Sequence, residues 1–192
     1  MFGLKIIRRL TLACCLILLT AMAAAVAAAQ SHAIEPGNRI GKIRLGMTRK
    51  AVHAKLGQPD GIYRLAIGVT GDYWSSSRGG DSLHISYSAG KVFQIEATSN
   101  SFSTPEGLTT QSSLDEVRKF YGNLRRTSYF RDNTNGTVVN YYEATGRGIT
   151  FTFVNLDSTT TPDNFKLYAI IVHAPGRRAV TMDEGDPDSH KL

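Results

Sequence analysis

Ile43-Arg44-Leu45-Gly46-Met47-Thr48 opens a helical stretch that carries Val52 and Leu56 and stops at Gly57 and Pro59. A similar phrase returns at Leu108-Thr109-Thr110-Gln111-Ser112-Ser113, followed at matching offsets by Val117, Tyr121 and Gly122. In the first copy Thr48 is a natural N-cap, Ala51, Val52 and Leu56 share one face, and Gly57 supplies the C-cap ahead of Pro59. In the second, Ser113-Leu114-Asp115-Glu116 has the spacing of a capping box, and Leu114, Val117, Phe120, Tyr121 and Leu124 recur at helical intervals. After each helix the period changes to two. Leu83, Ile85 and Tyr87 alternate with His84, Ser86 and Ser88, the turn Ala89-Gly90-Lys91 follows, and Val92 to Ala97 returns as the hairpin partner. Ile149, Phe151 and Phe153 alternate with threonines, and after the polar loop Asn155 to Asn164 comes the apolar run Leu167 to Val172. With aromatic segments at Tyr73-Trp74 and at Val138 to Tyr142 counted as strands, each unit reads helix, strand, strand, strand. The expected fold is therefore α+β: two tandem helix-plus-three-strand repeats, over 30–98 and 99–175, forming an antiparallel sheet covered on one face by helices.

The first 29 residues are set aside from the fold. Lys5, Arg8 and Arg9 precede the apolar run Leu10 to Leu19 and an alanine-rich stretch with small-residue cleavage positions before Gln30, the pattern of a secretory signal peptide. Left uncleaved, the same segment would act as a membrane anchor. Both cysteines, Cys14 and Cys15, lie inside it without the flanking residues that lipid attachment requires. A mature chain would have no disulfide, cysteine metal site or thiol chemistry. Removing Lys5, Arg8 and Arg9 lowers the formal charge from +6 to +3, a mild excess without any nucleic-acid motif. Asp183, Glu184, Asp186 and Asp188 mark 176–192 as an acidic tail expected to be disordered. The chain is expected to be exported, to the periplasm or the medium.

The run Ile43-x-Leu45-Gly46-Met47-Thr48-x-x-x-Val52-x-x-x-Leu56-Gly57-x-Pro59 resembles the opening motif of the SmpA/OmlA (BamE-type) outer-membrane lipoprotein domain. The tandem arrangement is similar to the beta-lactamase-inhibitor-protein (BLIP) architecture, in which two helix-plus-sheet repeats make one concave sheet surface. The resemblance covers roughly residues 40–175. It implies a fold and, through the BamE-like motif, an accessory role in envelope assembly; it implies no ligand. The chain departs from both groups in lacking a lipid-attachment cysteine and disulfides.

No catalytic constellation is legible. His32, His53, His84, His173 and His190 show no metal-ligand spacing, no Gly-x-Ser-x-Gly elbow occurs, and neither Gly68-x-x-Gly71 nor Gly79-Gly80 has the setting of a phosphate loop. A secreted hydrolase with a noncontiguous Ser/His site stays open as an alternative, because triads are set by geometry and not by order. No metal or cofactor is expected. The candidate binding residues are Asp72, Tyr73, Trp74 and Arg78 in the first unit and Tyr141 and Tyr142 in the second. Trp, Tyr and Arg are the types that dominate protein–protein hot spots. These aromatics could line one sheet face together, or Trp74 and Tyr142 could pack beneath the helices. The expected function is that of a non-enzymatic protein-binding or scaffold protein of the bacterial envelope, its partner another protein.

Overall fold

Both helices begin and end where their capping residues dictate. In a computed structural model, which describes residues 32–66, 69–75, 82–122, 124–131, 137–155 and 165–181, helix α1 spans Arg49–Leu56 and helix α2 spans Leu114–Tyr121. The Thr48 side chain accepts from the Ala51 amide. Ser113 and Glu116 form the reciprocal capping box, with the Ser113 amide donating to Glu116 Oε2 at 2.7 Å. Each helix closes on a glycine with positive φ, Gly57 at 81° and Gly122 at 76°, a conformation open to a residue without a Cβ. Residues 1–29, expected to be a signal peptide and holding both cysteines, together with Arg78, residues 156–164 of the polar loop and the acidic residues after Thr181, lie outside the described residues.

Among the described residues eleven strands form two sheets. Strands β1 (Ile34–Glu35), β2 (Arg39–Ile40) and β3 (Ile43–Arg44) make a small antiparallel sheet ahead of α1. Strands β4 (Gly61–Ala66), β5 (Val69–Trp74), β6 (Leu83–Ser88) and β7 (Lys91–Ala97) follow α1; β8 (Arg125–Arg131), β9 (Val138–Ala144), β10 (Ile149–Asn155) and β11 (Lys166–His173) follow α2. They join in one antiparallel sheet ordered β4-β5-β6-β7-β11-β10-β9-β8. The α+β class and the antiparallel sheet are as expected, but the count of three strands per helix is corrected to four. The additional strands, β4 and β8, are the two sheet edges. Ile62 on β4 is 66% exposed, so an edge strand of this kind carries little of the alternation by which a strand is recognised.

The pairing registers fix what each face carries. Trp74, Leu83, Ala97, Ile170, Phe151 and Tyr142 are successive cross-strand partners and lie on the helix-covered face. Val52 of α1, Leu114 and Val117 of α2, the connector residues Phe102 and Leu108, and Ile34, Ile40 and Ile43 of the small sheet complete this core. Among the described residues no helix is long and apolar enough to cross a membrane.

One position ties the small sheet to the large one. Gly148, at φ 69°, accepts through its carbonyl from the amides of Gly37 at 3.1 Å and His173 at 3.0 Å. A Cβ there would fall within 3 Å of the His173 carbonyl and of Gly37 Cα, whereas Gly176, at φ 77°, has open space around it. Gly176→Ala should cost about 1–2 kcal/mol for the left-handed conformation alone, and Gly148→Ala should cost about 1–3 kcal/mol more from overpacking. Urea unfolding of both variants checks this; equal losses would remove the proposed clash.

Candidate functional site

Asp72 is a buried acid with partners. It lies on the helix side of β5 with no exposed surface. Arg49 of α1 donates to it twice, from Nη2 to Oδ1 and from Nε to Oδ2 at 2.8 Å, and His53, one helical turn on, donates from Nε2 to Oδ2 at 2.7 Å. The i, i+4 spacing of Arg49 and His53 puts both on the helix face that meets the sheet. Burial alone would raise the Asp72 carboxyl, but the bonds from Arg49 and His53 outweigh it and hold the group below its ordinary 3.8. The Arg49 guanidinium also lies 5.4 Å from the centre of the Tyr87 ring, and His53 meets Trp74 edge-on at 6.0 Å. This cluster fastens α1 to the sheet.

The opposite, helix-free face is organised differently. Its register row runs Tyr73, His84, Glu96, Ile171, Thr150, Glu143 across six strands. Tyr73 pairs with Gly61 and Tyr63 pairs with Gly71. Each tyrosine ring covers the glycine opposite, so that a Cβ on either glycine would strike the ring within 3 Å. The Gly-x-Tyr sequences Gly61-Ile62-Tyr63 and Gly71-Asp72-Tyr73 thus cover one another, an aromatic ring standing in for each absent side chain. Both rings also flank His84, at 5.4 Å from Tyr63 and 6.0 Å from Tyr73, and the Tyr63 hydroxyl bonds Ser86 Oγ at 2.8 Å.

Beside this aromatic wall lies a cavity of about 260 Å³, bounded mainly by Tyr63, His84, Glu96, Tyr141, Thr152 and Tyr168. Valines and Ile171 complete a largely apolar lining. Glu96 sits on β7, an internal strand, and no hydrogen bond or ion pair holds its carboxyl among the described residues. Burial raises that carboxyl from its ordinary 4.5 to about 7. Burial lowers His84, which is therefore neutral at pH 7. Thr152 Oγ1 is buried without a partner. Tyr168 stands 54% exposed at the mouth.

The chain after β11 crosses the same face. Gln94 accepts from the Val180 amide at 2.8 Å and donates to the Val180 carbonyl at 3.0 Å, while Glu143 Oε1 accepts from the Ala179 amide at 3.2 Å. Ala179 and Thr181 are buried. Within the stretch expected to lose order from 176 onward, residues 176–178 are exposed, while Ala179, Val180 and Thr181 lie against the sheet, where Gln94 and Glu143 satisfy the backbone of Ala179 and Val180.

The residues singled out from the sequence divide between the two faces. Trp74 is 9% exposed and Tyr142 meets Phe153 edge-on at 5.6 Å, so both belong to the helix-side core. Tyr73 and Tyr141 face the other way, Tyr141 on the cavity and Tyr73 against His84. Of the two arrangements open from the sequence, a shared aromatic face or Trp74 and Tyr142 beneath the helices, the strands adopt the second, because alternation sends neighbours in sequence to opposite faces. Glu96, Tyr63, His84 and Tyr168 were not anticipated; a lone acid within the apolar run Val92 to Ala97 was the available signal. Two histidine pairings bear on hydrolysis. His53 sits on Asp72, which Arg49 also engages, and His173 Nε2 lies 3.0 Å from Thr150 Oγ1, both side chains being buried. Among the described residues no cluster of His, Cys, Asp or Glu could hold a metal ion.

The class defined by these features is an α+β protein with one sheet face packed under helices and the other carrying a cavity with an unpaired acid. No protein-family model matches the chain, and no curated protein does. Among solved structures it is similar to an extracellular protein containing an SCP domain from Bacillus anthracis (TM-score 0.43, 12% identity, 69% of this chain and 44% of that one). It is also similar to a cysteine-rich secretory protein from Staphylococcus aureus (TM-score 0.44, 12% identity, 76% of this chain and 49% of that one). The chain spans about half or less of their length, and a likeness of this size assigns no activity. The SmpA/OmlA and BLIP resemblance is corrected: no model of such a family matches the chain. Its motif residues, Thr48, Val52, Leu56 and Gly57, are the cap, core and stop residues of one helix, and any helix of this length can use them. The envelope-assembly role drawn from that motif loses its basis.

The two acids should respond oppositely to pH. Asp72 is held low, so its contribution is present above its ordinary 3.8 and lost as pH falls below that value. Asp72→Asn should cost about 1–3 kcal/mol at pH 7, with the gap to the native protein closing under acid. Glu96 is held high, so its contribution is full below 4.5 and lost as pH rises through about 7. Glu96→Gln should match the native protein near pH 5 and become the more stable of the two by pH 8. Denaturation across pH checks both, and a pH-independent difference for either variant would contradict the assignment.

Proposed function

We propose that the chain is an exported, non-enzymatic protein-binding protein of the bacterial envelope or extracellular space, whose helix-free sheet face receives an extended segment of its partner. The observation that carries this reading is the Gln94 carboxamide, bonded to both the amide and the carbonyl of Val180. A side chain that grips both polar groups of one residue is suited to hold extended backbone, and the cavity beside it is open to a side chain from such a segment. Export is supported by Lys5, Arg8 and Arg9 ahead of the apolar and alanine-rich run. The two halves are read as versions of one helix-plus-meander unit, supported by the caps Thr48 and Gly57 recurring as Ser113 and Gly122. Of the residues chosen from sequence, Tyr73 and Tyr141 stay with the binding face, while Asp72, Trp74 and Tyr142 serve the core. The hydrolase alternative would need a serine beside a histidine, and the partners found on His53 and His173 are Asp72 and Thr150.

Site-specific photocrosslinking tests the face. A benzophenone side chain in place of Tyr168, at the cavity mouth, should yield a discrete adduct with a protein in the native host. The same group in place of Phe120, 40% exposed on α2, should not. Equal adducts from both positions, or none from Tyr168, would overturn the proposal.

A further inference from the structure

Each polar group left unpaired around the cavity can accept a hydrogen bond. Glu96 presents a carboxyl with no cation against it, Thr152 an unbonded hydroxyl oxygen, and His84 a neutral ring with an accepting nitrogen. The charged and titratable neighbours are few. Strand β4 contributes Tyr63 and the exposed Arg64, β5 contributes Tyr73 beside His84, β6 His84 itself, β9 Tyr141 and β11 Tyr168. Arg64 lies at the cavity edge and forms no ion pair with Glu96. Glu96 is near enough to raise the phenols of Tyr63 and Tyr168, in addition to their burial.

We infer that this cavity is a seat for an ammonium group on an apolar stem, a lysine side chain of the partner segment, with Glu96 as its counter-charge and Tyr63, Tyr141 and Tyr168 as its walls. The inference rests on the proposed function and adds the chemistry of the anchor. An ammonium brings three donors and no acceptor, the complement of the lining. Tyrosine faces attract cations, and the attraction grows as water is excluded. The volume suits one side chain better than a drug-sized ligand, whose sites run from roughly 300 to 1,000 Å³. An anionic group would meet Glu96 as a like charge, and a purely apolar group would leave the carboxyl and Thr152 unpaired.

The probe is n-butylammonium, the end of a lysine side chain, with butyrate and 1-butanol as stem-matched controls. Binding is followed by chemical-shift changes in the full chain. Butylammonium should shift the signals of His84 and Tyr168 and bind at least tenfold more tightly than either control. Its affinity should fall about tenfold from pH 8 to pH 6, as a carboxyl titrating near 7 goes from mostly ionised to mostly protonated. Glu96→Gln should abolish both the preference and the pH dependence. His84→Gln should keep the pH dependence, which separates the two titrating groups. Butyrate or butanol binding as well as butylammonium, or Glu96→Gln binding it normally, would overturn the inference. A Tyr168 crosslink obtained alongside failed butylammonium binding would overturn the ammonium anchor alone and leave the protein-binding face standing.

Discussion

The ladder between β7 and β11 is the constraint on which the rest depends. Four pairs, from Ile170↔Ala97 to His173↔Gln94, join two four-stranded meanders into one sheet. Each half alone would have one eight-residue helix for cover, too little to bury both faces of its innermost strand. Joined, the halves place Ile95, Ala97, Ile170 and Val172 at the centre of a common core, all essentially without exposed surface. The same pairing makes β7 internal, and so leaves Glu96 less open to water than an edge strand would.

Two acids show how the sheet separates fastening from recognition. Asp72 and Glu96 lie on strands of the same half and point to opposite faces. Asp72 meets a guanidinium and an imidazole supplied by α1, and its charge becomes a bond between helix and sheet. Glu96 meets aromatic rings and aliphatic walls, and its charge is left uncompensated. A paired buried acid is accounted for by the fold. An unpaired one opposes the fold near neutral pH, and groups kept against stability are where function is to be sought.

The elements legible in the sequence were those whose code is local. Thr48, Ser113, Gly57 and Gly122 mark helix ends through their own backbone chemistry, and the alternation around Leu83 to Tyr87 and Ile149 to Phe153 follows from one face being core. Strands β4 and β8 were not legible, because edge strands are defined by a neighbour distant in sequence. The site was hidden for the same reason. Tyr63, His84, Glu96, Tyr141 and Tyr168 come from five strands, and only register brings them together. Trp74 and Tyr142 drew attention by residue type, yet alternation sends them into the core. The path of Ala179 to Thr181 over the sheet depends on Gln94 and Glu143, which nothing near the tail announces.

The crossed tyrosines carry a consequence for how this surface can change over generations. Tyr73 lies where a side chain at 61 would be, and Tyr63 where one at 71 would be. Neither glycine can enlarge while the ring opposite stays, and loss of either ring bares backbone. The four positions therefore form two linked pairs, 61 with 73 and 63 with 71. In divergent copies of this chain each pair should drift as a unit, the large residue and the glycine exchanging strands together and keeping one flank of the cavity intact.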